Sequence, residues 1–446
     1  DRKRIVRCSG LSASQQAETA EAREAIEAIE KTETSDNAAH AEDAERTTQA
    51  PSSGGASPRP LTRDGPSPHP PKPRDAFFDN AKYLAIVLVA VGHAWEPLRS
   101  GSRTVTALYT FVYAFHMPAF IVVSGYFSRT FAAEPRHIRR LITGVAVPFV
   151  VFEVAYTLYT RWTDDAPDRP ISLLDPLYLT WFLAALFIWR LTAPVWKLVR
   201  WPVPVALGVA MLATLSPAIG KDLALQRVLQ FLPYFVLGLC LTPEHFRLLR
   251  RRAARVLAVP VLATALAVAY WAVPRMDYAW FFHDDSAEQL GAPAWSGPVM
   301  TLATFGCSLA LVACFLAWVP GRRTWFTVLG TGTLYGYLLH GFVQQAAGPA
   351  GWYEPDWTHG PLGALTVTTA AAAVVTLLCT PPVRRLFRPV VEPSMDWAFR
   401  LGAARTPSDR AAQPATGPSP SPSRRRSTIS AVSSPGVPAA WRRRSR

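Results

Sequence analysis

The stretch NAKYLAIVLVAVGHAWEPL, residues 80–98, is apolar for most of its length, yet Lys82 stands near one end and His93 near the other. An apolar run of about 20 residues is what a helix needs to cross a bilayer. Runs of this kind recur from residue 77 to residue 382, and the polar residues collect at the ends and in short connections. The fold class expected is therefore all-α: a polytopic transmembrane helical bundle. A membrane β-barrel would show short segments of alternating polarity instead, and none is present. Ten candidate spans can be marked: 77–97, 105–127, 141–160, 174–193, 202–219, 226–242, 254–273, 298–319, 324–347 and 361–381. Several hold proline, such as Pro118, Pro148 and Pro233, which membrane helices tolerate when neighbours satisfy the freed carbonyls.

The rest of the chain is different. Residues 1–75 are rich in Ala, Glu, Ser, Thr and Pro, and residues 391–446 are basic and rich in Pro and Ser. Neither can bury enough apolar area to fold alone, so both are expected to be disordered tails flanking one membrane domain, 76–390. The chain carries a formal charge of +14, but nine arginines lie within residues 405–446 and most of the other cations in short loops. That pattern does not imply nucleic acid; it fits a solvated tail or contact with anionic headgroups. The five cysteines show no metal-ligand spacing, and no metal site is expected. The first apolar run starts far from residue 1, so no cleavable signal peptide is expected.

The connections set the orientation. One alternate set is basic, with Arg136, Arg139 and Arg140 after the second span and Arg250, Arg251 and Arg252 after the sixth. The other set holds TDDAPDRP, HDDSAEQLG and YEPDWTHG. Cations favour the cytoplasmic side, so both termini are expected there, in a multi-pass protein of the cell membrane.

Ionisable residues inside the spans are the functional candidates, because each costs about 2.5–3.5 kcal/mol at the bilayer centre. Lys82 and His93 are eleven positions apart, a rise of about 16 Å that returns to nearly the same helix face. That face must look into the bundle. Lys82 can alternatively snorkel to the interface. Asp79 lies three residues before Lys82 and can pair with it. Glu96, one turn past His93, is expected to be solvated. His116 sits in YAFHMPAFIVVSGYFSR, which also carries Ser124 beside Gly125, a pair suited to close helix approach, and Arg129 at its end. Arg136 and Arg139 share a helical face at the start of the third span. They read either as ordinary anchors or as a phosphate clamp. Glu153 and His340 are intramembrane groups too, functional or simply partners of other buried groups.

These residues resemble the acyltransferase 3 family, membrane O-acyltransferases that include fucose 4-O-acetylase-like enzymes. The family's mark is a basic residue, ten intervening positions and a histidine on the first helix, here Lys82 and His93 after Asp79. The likeness continues through FHMPAFIVVSGYFSR, RHIRRL, WFLAALF and LYGYLLHGF, over about residues 75–385. Arginine is common at the position of Lys82, and lysine cannot make a bidentate fork. No soluble hydrolase-like domain of the kind some relatives carry is visible. The resemblance implies no bound cofactor, an acyl-coenzyme A co-substrate, usually acetyl-CoA, and a hydroxyl acceptor on a sugar or cell-surface glycoconjugate. It fits a bilayer as the other partner and no nucleic acid. Arg129, Arg136 and Arg139 would hold donor phosphates, with Asp79 and Lys82 near the donor. His93 would act as general base or acyl carrier, and His116 would orient it, donate to an oxyanion or be structural. A proton-coupled transporter or flippase is the competing class, since buried His, Lys and Glu also suit a carrier; no inverted repeat supports it.

Overall fold

The computed structural model describes residues 75–163 and 168–399. Nearly all of both expected tails lies outside those residues. The described residues up to Met395 form one compact unit; beyond it only the turn Asp396–Ala398 and Phe399 are described. Every regular element among the described residues is helical.

Helix α1 (Ala76–Trp95) starts where Asp75 accepts a hydrogen bond from the Phe77 amide, 2.9 Å away. Such a cap satisfies one of the free N–H groups of a first turn. It ends as the chain tightens into a 3₁₀ turn, Glu96–Gly101. The second span is broken into α2 (Arg103–Tyr113) and α3 (His116–Phe127). The cause is Pro118, which has no N–H to donate into the preceding turn. The third span is likewise interrupted. Helix α4 (Pro135–Leu141) runs into a π-helical turn, Ile142–Ala146, before α5 (Val147–Thr163). Pro148, just beyond, cannot donate to the carbonyl of Gly144, so the regular ladder cannot pass through.

The fourth span was expected from residue 174, but α6 runs Trp181–Trp196. Pro176 and a left-handed Tyr178 (φ 57°) hold the chain in turns up to Thr180. The remaining elements are α7 (Pro202–Leu215), α8 (Leu225–Cys240), the short α9 (Pro243–Leu249), α10 (Arg252–Ala272) and α11 (Ser296–Trp318). Then come α12 (Thr333–Ala347), α13 (Pro361–Leu378) and the short, basic α14 (Pro381–Val391). Among the described residues, seven helical stretches are long and apolar enough to cross a membrane, and α6 and α7 are apolar but shorter. Helix α12 has 15 residues. Each of the ten expected spans thus contains helix, but three of the ten fall short of a full crossing.

Helix α1 lies at the centre, against α2, α3, α12 and α13. Its start is fastened by Asn80, whose amide donates to the carbonyls of Pro320 and Arg322 and whose oxygen accepts from Thr327. Helices α3 and α8 cross backbone to backbone. A Cβ added at Gly125 would sit 2.9 Å from Gly238 Cα, and one at Gly238 would sit 2.8 Å from Gly125 Cα. The core between α6 and α8 is aromatic: Trp181 stacks on Phe231 and Trp189 on Phe235. Helices α10 and α13 lie outside, with Val256, Leu257, Leu365 and Leu377 exposed as a lipid-facing surface requires.

Candidate functional site

Three histidines meet where α1, the α2–α3 break and α12 come together. His93 and His340 have nearly parallel rings 5.8 Å apart. The Tyr113 hydroxyl lies 2.9 Å from His93 Nδ1, and its ring meets that of His116 edge-on at 4.6 Å. All three imidazoles are buried. His340, His116 and Arg99 are the electrostatic neighbours of His93.

The break at Pro118 serves this site directly. It turns the chain between α2 and α3, and there His116 Nδ1 donates to the Val112 carbonyl at 2.9 Å, which also accepts from the Phe115 amide at 3.1 Å. His340 Nδ1 meets the carbonyls of Gly336 and Tyr337 at 3.1 and 2.5 Å. A carbonyl oxygen only accepts, so in both residues Nδ1 carries the proton and Nε2 of the neutral ring is the acceptor atom. His93 differs: a tyrosine hydroxyl both donates and accepts. That partner lets the His93 ring carry its proton on either nitrogen. Its Nε2, and that of His116, are buried without a hydrogen-bond partner among the described residues. Gln344 pins the end of α1 by donating to the His93 carbonyl at 2.9 Å.

Beside His340 a cavity of about 110 Å³ opens between α1, α12 and α13. Its wall is mostly alanine and valine, with Gln344 and Tyr353 as polar members. On the opposite side the loop between α10 and α11 packs Phe282 against Tyr113, ring centres 5.7 Å apart.

A family model described as an acyltransferase domain matches residues 75–382. The chain belongs to the acyltransferase 3 family. Neither the curated proteins nor the solved structures gave a match. The protein is thus a membrane acyltransferase, and its named residues divide into those that gather at the histidines and those that do not.

Lys82 and Asp79 form a buried ion pair, Nζ to Oδ1 2.8 Å, three turns back along α1 from His93. A cavity of about 10 Å³ adjoins Lys82 beside Ala119 and Phe120, room for about one water. Ser124 is buried, and its Oγ has no hydrogen-bond partner among the described residues. Arg129 stacks on Tyr126 and donates to the carbonyls of Tyr126 and Leu241, so it ties the end of α3 to that of α8. Arg136 is exposed and paired with Glu134 at 2.8 Å. Arg139 stands in the last turn of α4, before the π-turn. Glu153 accepts from the Leu177 amide, at 2.9 and 3.1 Å, and from the Thr180 hydroxyl. It holds the turn that precedes α6, a packing task away from the histidines. Glu96, expected to be solvated, is buried and paired with Arg99 at 3.4 Å. The 3₁₀ turn folds both inward, and Arg99 lies over the Tyr109 and Tyr278 rings.

Tyr113 and Arg227 escaped sequence reading. Tyr113 is one of many tyrosines at a plausible core position, and nothing in its spacing marks it. Arg227 was findable: a guanidinium inside an apolar run costs as much as Lys82 does.

Proposed function

We propose that the protein is an O-acyltransferase that moves an acyl group, acetyl in the simplest case, from acyl-coenzyme A to a hydroxyl of a sugar or glycoconjugate. The observation that carries this reading is Tyr113 on His93 Nδ1. With the Nδ1 proton donated to the tyrosine oxygen, Nε2 presents a lone pair to the site. The acceptor hydroxyl oxygen attacks the thioester carbonyl and gives its proton to Nε2. The tetrahedral intermediate collapses, the C–S bond breaks, and the imidazolium returns the proton to the leaving thiolate. His116 Nε2, an acceptor atom at the same place, takes a hydrogen bond from the acceptor sugar. The donor's phosphates suit the basic end of the bundle, where Arg136 and Arg139 stand. The thioester arm then follows α1 past Asp79 and Lys82 towards His93.

Transfer from radiolabelled acetyl-CoA by the purified, bilayer-reconstituted protein tests this. His93→Ala should lower label in glycan by about 10²–10⁴-fold, the usual range for a lost general base. Equal labelling by the variant would overturn the reading, and label retained on wild-type His93 would make it a carrier.

A further inference from the structure

A second buried polar cluster lies where α8, the start of α6 and the loop between α10 and α11 meet. Arg227, in the first turn of α8, is completely buried. Its guanidinium lies over the Trp181 ring, 4.7 Å from the centroid, and meets Asp284 at 3.1 Å. Asp284 comes from the loop between α10 and α11 and follows a left-handed His283 (φ 54°). Trp181 Nε1, also fully buried, has no hydrogen-bond partner among the described residues.

Contacts connect this cluster to the histidines in both directions. One way runs from His93 through Tyr113 to Phe282, next to His283 and Asp284 in the chain. The other runs from His340 to Tyr337, ring centres 5.6 Å apart, whose hydroxyl donates to the Leu179 carbonyl, two residues before Trp181. Arg227 and His93 are thus joined by two routes, each of side-chain contacts completed by a short stretch of backbone.

A structural pin has no need of this design. A cation in the first turn of a helix opposes the helix dipole. A buried ion pair is often no more stabilising than apolar residues of the same volume. Strain at a non-glycine left-handed residue costs further and is typical of functional segments. We infer that Arg227 is the receptor for an anionic group, carboxylate or phosphate, on the acceptor sugar, and that Asp284 occupies its place until the acceptor arrives. The Trp181 indole N–H supplies a second donor. This rests on the acyl-transfer reading for the word acceptor, but not for the anion site itself.

The test is calorimetric binding to the purified full chain, with methyl glucuronide, glucose 1-phosphate and methyl glucoside as probes. At least one anionic probe should bind about tenfold or more tightly than the neutral glucoside, as a desolvated charge pair implies. Asp284→Asn should strengthen the anionic binding and leave the glucoside unchanged. Arg227→Gln should erase the preference, and Arg227→Lys should keep part of it. Equal binding of neutral and anionic probes overturns the inference, as does an Asp284→Asn protein that binds neither anion. If Arg227→Gln does not fold, the Asp284→Asn and Arg227→Lys results decide. The anion preference is read by binding alone, with no acyl donor present, so a failed acyl-transfer assay and a failed anion site read separately.

Discussion

Replacing Tyr113 by Phe keeps the ring that stacks on Tyr109 at 4.0 Å and removes the hydroxyl at His93 Nδ1. The packing loss is small, because one hydrogen bond contributes about 0.5–1.5 kcal/mol net. The chemical loss is larger, since nothing then holds the proton on Nδ1. Steady-state kinetics should show kcat reduced by roughly tenfold, with KM for the donor nearly unchanged, as expected when an interaction acts in the transition state. A change confined to KM would place Tyr113 in substrate binding instead. Glu153 makes the opposite prediction. Glu153→Ala strands the buried Leu177 amide, at about 1–3 kcal/mol for an unsatisfied group, while the Thr180 hydroxyl keeps the Leu177 carbonyl at 2.9 Å. Thermal unfolding in detergent should fall by several degrees, and the activity per folded molecule should hold. Sequence reading flagged Glu153 by its cost in the membrane, and that rule finds buried charge without telling catalysis from capping.

Helices α3 and α8 depend on glycine at their crossing. Gly125→Ala would drive a Cβ into the backbone of the facing helix, where nothing flexible can yield. Forcing one carbon into a packed interface costs about 1–3 kcal/mol. Thermal unfolding should report that loss, and Gly238→Ala should match it; Gly208, with nothing within 4 Å, is the control for a bare glycine effect. The pair Ser124–Gly125 announced this approach in the sequence. The existence of the spans was equally legible, since twenty apolar residues have few other uses. Their ends were not. The Pro118 break and the π-turn before Pro148 depend on which carbonyl each proline abandons, and the late start of α6 depends on Glu153 reaching across from another helix. Such long-range claims on the backbone leave no periodic trace.

Across the molecule, the histidines are shut in by connections as much as by helices, and the loop between α10 and α11, which packs Phe282 on Tyr113, is one of them. HDDSAEQLG reads as one more acidic connection; that it folds inward follows from Arg227, a partner more than fifty residues away. Its closure should depend on pH through His283. That ring packs on Phe231 and Tyr234 beside the Arg227 charge. Burial first, and Arg227 second, push it from the usual 6.5 down to about 3. The closed loop therefore holds His283 neutral, while an opened loop lets it take a proton near pH 6.5. Closure is at full strength above that value and weakens as pH falls below it, by about 1.4 kcal/mol per unit. At pH 5 the loss is ~2 kcal/mol. Asp285 works the other way: burial, then Asp284, raise its carboxyl, so acid relieves a penalty there. The displacement on His283 is the larger, and the net effect should be opening in acid. Hydrogen exchange of residues 277–290, corrected for intrinsic rates, should rise between pH 7.5 and pH 5 in wild type. His283→Gln should flatten that rise, and Asp285→Asn should steepen it. Exchange independent of pH in all three proteins would mean that the loop stays shut whatever His283 carries.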